Sequence, residues 1–165
     1  MISTKVKVKE VFYRGIRLDV NGHDISIFCR CDAQRYHYYV NLEAGKSDLY
    51  FIMSRDALQN LLKALDRDDR KVLGIIRLIG LFADNRTRVN YLEDLLYRYP
   101  VDDDTIEWMV KRLKTGLLIS AVSWKQYSII EPAVEVLNEL GYGDLAEELR
   151  LKAMSHTIKN SVLEA

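Results

Sequence analysis

Two cysteines, Cys29 and Cys31, and three histidines, His23, His37 and His156, are the side chains of this sequence best suited to metal ligation or nucleophilic attack. Their spacing favours neither. A structural zinc site takes four ligands, with cysteines in Cys-x2–4-Cys pairs, whereas here one Cys-x-Cys stands among scattered histidines. A disulfide between the two would close a loop too short to constrain the unfolded chain. Both cysteines continue the apolar side of the alternating run Ile25-Ser26-Ile27-Phe28, so they are expected to be buried, reduced and metal-free, packing as small hydrophobes. The eight glycines nowhere form a phosphate-binding G-x-G-x-x-G or G-x4-G-K-[ST] loop, and no G-x-S-x-G elbow, H-E-x-x-H or kinase signature occurs. No catalytic residue and no cofactor is expected.

Two short constellations carry a different chemistry. Arg35-Tyr36-His37-Tyr38-Tyr39-Val40-Asn41-Leu42 places aromatic rings beside a cation on an extended segment, as a base-stacking platform does. Through Arg35, Tyr39 and Val40 it resembles the signature of RNA-recognition motifs. Tyr36 stands where that pattern has glycine, Tyr38 stands at its next small position, and the βαββαβ order is missing. The candidate nucleic-acid-binding residues are Arg35, Tyr36, His37 and Tyr39. Near the other end, Arg150 and His156 have an R-x5-H spacing that resembles the motif of HEPN-type ribonucleases, whose domain is a helical bundle; Leu151 stands where a polar residue is usual. That resemblance implies a general base at His156 and a cation for the scissile phosphate at Arg150.

The stretch from Trp108 to Ile130 contains Lys111, Arg112, Lys114 and Lys125 without one acid, together with Trp108, Trp124 and Tyr127. Most of its apolar residues must serve a helical core. Trp, Tyr and Arg are also the residues that dominate interface hot spots, and a cationic rim suits an acidic protein surface. Trp108, Lys111, Arg112, Lys114, Trp124, Lys125 and Tyr127 are therefore the candidate partner-binding residues.

Charge narrows the choice of partner. The 24 basic and 24 acidic residues cancel. Residues 1–53 hold eight Lys/Arg against six Asp/Glu and residues 54–165 sixteen against eighteen, so neither part shows the basic excess on which phosphate-backbone binding relies. The function expected is a small protein-binding protein, accessory, regulatory or inhibitory, acting by surface occupation without catalysis. The alternative is a nucleic-acid binder using the Arg35–Tyr39 strand and the Lys111–Lys125 segment; an HEPN-type ribonuclease using Arg150 and His156 is more remote.

The elements that must position these residues are legible in the periodicity. Lys5-Val6-Lys7-Val8-Lys9 alternates, with lysines along one side as on a protected edge strand. Ile16, Leu18 and Val20 lead into Asn21-Gly22, a strong two-residue hairpin signal. That loop sets Val20 opposite His23, Leu18 opposite Ile25 and Ile16 opposite Ile27, keeping apolar residues on one face. Further strands are expected over Tyr36–Leu42 and Leu49–Met53, with a polar loop at 43–48. At Ser54, a good N-cap, the period changes to 3.6.

Six helices follow. Val72 to Phe82 is apolar nearly all round and should be the most buried. Asp104 with Glu107 and Asp144 with Glu147 have capping-box spacing, Pro132 suits a first turn, Gly141 suits a C′ position, and the end beyond Asn160 should fray. Strands before helices give an α+β class, a meander of four to five strands and then a bundle of about six helices. The corresponding division is a sheet subdomain over 1–53 and a helical one over 54–165, packed as one unit. No run of about eighteen apolar residues is present, so no membrane partner is expected. The N-terminus has no apolar signal core, which leads to a cytoplasmic expectation.

Overall fold

The computed structural model describes residues 5–30, 37–44 and 47–164. Five antiparallel strands come first, β1 (Val6–Phe12), β2 (Gly15–Val20), β3 (His23–Arg30), β4 (His37–Ala44) and β5 (Ser47–Ser54), paired in chain order as a meander. Helices α1 (Arg55–Asp66), α2 (Arg70–Ile79), α3 (Asn85–Leu96), α4 (Asp103–Ser123), α5 (Ile130–Glu139) and α6 (Gly143–Glu164) follow, with a 3-10 turn at Tyr127–Ile129. The class is α+β, as the order of periodicities implies.

The β2–β3 hairpin has the expected register: Val20 faces His23, Leu18 faces Ile25 and Ile16 faces Ile27. Asn21 and Gly22 both take positive φ, 52° and 86°, which the tight primed hairpin turn requires and which glycine adopts without strain. The turn is tied down from two sides, since Gly22 N–H donates to Asp19 Oδ1 at 2.9 Å and Asn21 Nδ2 donates to the Asp66 carbonyl at 2.9 Å. Strand β4 pairs with β5 out to Ala44 and Ser47, so the segment expected as a polar loop extends the two strands instead. Its polar residues are tolerated because Glu43 and Asp48 are exposed.

The chain divides into two compact units, Met1–Val101 and Asp102–Ala165. The change of periodicity at Ser54 is the end of the sheet, and α1, α2 and α3 belong with the strands. Charge divides at the same place. The second unit holds seven Lys/Arg against eleven Asp/Glu, a net −4, and the first seventeen against thirteen, a net +4.

In the first unit Leu18, Val20, Ile25, Ile27, Val40, Leu42, Phe51 and Met53 form the buried face of the sheet. Helix α1 packs on β2, β4 and β5, and α3 on β5. Six of the ten residues of α2 are buried, among them Ile75, Ile76, Leu78 and Ile79, in agreement with the nearly all-round apolar pattern. Strand β1 lies beyond this cover, so Val8 is 60% and Val11 74% exposed.

The second unit is built from α4, α5 and α6 around Met109, Val110, Leu113, Leu117, Val134, Leu137 and Leu149. The N-cap of α4 is Asp102, whose side chain accepts from Thr105 N–H at 2.8 Å, so the helix starts two residues earlier than the Asp104–Glu107 box implies. Asp102 wins because it precedes two further acids that the positive helix end also favours. Helix α6 includes Gly143, which leaves Asp144 inside its first turn, and its helical span runs to Glu164. Pro132 sits in the first turn of α5, and Gly141 follows its C-terminus with φ 88°.

Candidate functional site

The expected thiol site is not formed as anticipated. Cys29 is exposed. It shares the face of Ile25 and Ile27 and pairs with Tyr38 near the end of β3, whereas Met53, beyond Tyr38 in the same row, is buried. Period two assigns a face and says nothing of depth. Cys31, Arg35 and Tyr36 lie outside the described residues, as does the side chain of His37, whose backbone pairs with Arg30 and Ser54. His23 Nε2 lies 3.0 Å from Asp68 Oδ1, a contact that ties the hairpin to the segment after α1. Among the described residues no three of His, Cys, Asp and Glu converge as a metal site would need.

The lysine row of the edge strand is matched by acids. Lys9 Nζ lies 3.5 Å from Asp24 and 3.9 Å from Asp19, and Lys7 is the register partner of Asp19. Arg17 grips Asp24 with both ends of its guanidinium, at 2.9 and 2.5 Å. That bidentate bond holds the Asp24 carboxyl below the usual carboxylate range and raises Arg17 further.

The outer face of the same sheet carries a site that reading along the chain missed. Register places Ser26 between Arg17 and Asn41, with Tyr50 beyond, and Phe28 between Gly15 and Tyr39, with Ile52 beyond. The Phe28 ring lies over Gly15, where a Cβ would stand 2.5 Å from its Cδ1, and stacks on Phe12 with centroids 5.6 Å apart. Ser26, Phe28, Tyr39, Asn41 and Tyr50 line a cavity of about 450 Å³ together with Asn85 from the start of α3. Phe28, Tyr39 and Tyr50 are exposed. Asn41 Oδ1 is buried and has no hydrogen-bond partner among the described residues. The signal in the sequence was phase: Phe28, Tyr39 and Ile52 are large apolar residues on the side of the strands that alternation assigns to solvent.

In the second unit the seven candidate partner-binding residues separate into three places. Trp108, Lys111 and Arg112 share one exposed side of α4 with Ile119, which is 59% exposed. The Arg112 guanidinium lies over the Trp108 ring, 4.6 Å from its centroid, within cation–π range. Lys111 pairs with Glu107 at 3.2 Å. Lys114 turns away from this side; its side chain is 11% exposed and its Nζ lies 2.9 Å from Glu148. Trp124, Lys125 and Tyr127 follow the end of α4, and Trp124, 74% exposed, stands roughly 24 Å along the helix axis from Trp108. Chain proximity without acids did not mean spatial proximity without acids, because the preceding turn of α4 brings Glu107 to Lys111 and the packing of α6 brings Glu148 to Lys114.

No family model, curated protein or solved structure matches this chain. Its functional reading therefore rests on the chemistry of its own residues.

The Lys114–Glu148 contact makes one pH prediction. Hydrogen bonds from Lys152 at 2.7 Å and Lys114 at 2.9 Å pull the Glu148 carboxyl from 4.5 down to about 2. Its folded value lies below its unfolded one, so the stability it contributes is present above about pH 4.5 and is lost as pH falls toward about 2. Glu148→Gln should melt below the wild type at neutral pH, and the gap should close across that window in a series of thermal melts. A gap independent of pH would show that the carboxylate charge is not what matters.

Arg150 is held by Glu131 at 3.3 Å and Glu147 at 3.8 Å, while His156 is exposed. Six residues of helix turn the two side chains about 120° apart. An Arg neutralised by two carboxylates is a poor cation for a phosphate, so this arrangement lends the ribonuclease reading no support.

Proposed function

We propose that this chain is a non-catalytic binding protein, accessory, regulatory or inhibitory, which acts by occupying the surface of another protein through the exposed side of α4. The observation that carries this reading is the Trp108–Arg112 pair. Trp108 is 46% exposed, and a tryptophan left outside the core with a guanidinium stacked on it is a pre-formed hot-spot element: large, rigid and low in conformational entropy to lose on contact. Ile119 adds a second exposed apolar side chain about three turns further along the same side, and Lys111 supplies a charge at the rim. A partner with an acidic patch around an apolar hollow fits this side. Lys114 is left to its structural pairing with Glu148.

The test is capture from host lysate by wild-type protein and by a Trp108→Ala/Arg112→Glu variant, quantified by mass spectrometry, with thermal melts of both. A protein retained by the wild type and reduced at least about ten-fold by a variant of unchanged melting temperature is expected, since loss of one hot spot removes about 2 kcal/mol or more. Reversal of Lys111 to Glu should slow association chiefly at low salt. Equal capture by both proteins would place the surface elsewhere. The alternative, nucleic acid held by the Arg35–Tyr39 strand and the Lys111–Lys125 segment, is read in the same preparations. An A260/A280 ratio that falls on high-salt washing would favour it.

A further inference from the structure

We propose that the outer edge of β1 accepts an extended segment of another protein, one in which acidic and β-branched residues alternate, as a sixth strand of the sheet. The inference concerns the first unit alone and does not depend on the α4 surface. The sheet ends in two edge strands, β1 and β5. Helix α3 packs on β5, and Arg88 Nη1 donates to the Tyr50 carbonyl there at 3.2 Å. Among the described residues no strand pairs with the far side of β1. The direction of its main chain follows from the hairpin. Asn21 N–H donates to the Lys5 carbonyl at 3.0 Å, so alternation turns Lys5 and Lys7 toward β2 and leaves the N–H and C=O of Val6 and Val8 pointing outward. At the other end Phe12 and Gly15 close the two-residue turn, which directs Val11 outward as well.

The same three valines expose their side chains, on the face that carries Leu18 and Val20 in β2. A partner strand therefore gains main-chain hydrogen bonds from the edge and apolar contacts on this face. Charge chooses the partner. Lys7 stands on the opposite face in register with Asp19, and Lys9 approaches Asp19 and Asp24 on that face too. In every antiparallel register that sets Val6 or Val8 against either of these valines in a second copy, Lys7 falls opposite Lys5, Lys7 or Lys9 of that copy. Like charges directly opposite destabilise a strand pair. Setting Val8 against Val11 instead centres the contact on the bulge between Val8 and Glu10 in both copies, where the ladder is broken. A segment with Asp or Glu across from the lysines turns that repulsion into attraction, and the net +4 of the first unit steers it in.

The blocked heptapeptide Glu-Val-Glu-Ile-Glu-Val-Glu, titrated into the 15N-labelled full chain, should shift the β1 amides saturably and leave the Trp108 indole unmoved. Hydrogen exchange should slow at Val6 and Val8 and stay as it was at Lys7, whose N–H already faces β2. The lysine counterpart, Lys-Val-Lys-Ile-Lys-Val-Lys, should bind about ten-fold more weakly at low salt, a gap that narrows as salt rises. N-methylation of alternate peptide nitrogens needs no variant protein: one set should abolish binding and the other leave it intact, because only one set faces the edge. Val8→Pro removes an outward N–H without removing a bond to β2, so it should weaken the peptide about ten-fold and leave the melting temperature unchanged. Concentration-dependent dimerisation of the full chain in sedimentation, lost in Val8→Pro, would identify a second copy as the occupant and overturn the proposal. So would absence of saturation by about 2 mM peptide, equal affinity for the two peptides at low salt, or equal tolerance of both N-methylated sets.

Discussion

Ile76→Asp should abolish cooperative folding of the first unit. Ile76 is fully buried in the middle of α2, among Val72, Ile75, Leu78 and Ile79, which are buried completely as well. An aspartate there brings an unpaired carboxylate into a core in which, among the described residues, no polar side chain is buried. The cost is several kcal/mol, on top of the lost apolar burial of about 1.5–3 kcal/mol, against a total stability of about 5 to 15 kcal/mol. Hydrogen exchange at the amides of β3 and β4 should lose its protection, and the melting transition of this unit should disappear. Ile76→Val, which removes one methyl group, should cost only about 0.5–1.5 kcal/mol and retain both signals. A cooperatively melting Ile76→Asp protein with protected sheet amides would show that α2 is not the centre of the core.

Arg88→Met should be the most damaging change at a residue that is not buried apolar. From the first half of α3, Arg88 Nη2 donates to the Gly80 carbonyl at 2.9 Å, Nη1 to the Tyr50 carbonyl at 3.2 Å, and Nε to the Phe82 carbonyl. One guanidinium thus satisfies carbonyls at the end of α2, in the α2–α3 connection and on β5, where a shorter set of donors could not reach. Partial burial lowers its pKa, yet a guanidinium stays charged throughout the accessible pH range. Hydrogen bonds from a charged donor contribute about 1.5–3 kcal/mol each but not additively, so a loss of about 2–4 kcal/mol is expected. In a unit of this size that lowers the melting temperature by roughly 10 °C or more. Arg88→Lys should recover only part of it, because an ammonium lacks the planar fork that serves three acceptors. A change below about 0.5 kcal/mol, the level of an ordinary surface substitution, would refute the staple.

What the sequence by itself determined is whatever depends on short-range periodicity and turn chemistry. Leu18 opposite Ile25 follows from Asn21-Gly22 and alternation, because a slip of one residue would turn every apolar side chain to water. Ser54 as the cap of α1, the burial of α2 and the end of α5 at Gly141 follow from equally local rules. Only the tertiary structure decided depth and company. Cys29 keeps the face its phase assigns and is nevertheless exposed, near the end of its strand. Lys111 and Lys114, drawn from an acid-free run, acquire Glu107 from the preceding turn and Glu148 from another helix. Ser26, Asn41 and Tyr50 come from three strands, and their shared cavity exists only through the pairing of β3 with β4 and β4 with β5. Periodicity reports the direction in which a side chain leaves its own backbone; what meets it there is set by segments tens of residues away, whose approach depends on the packing of whole elements.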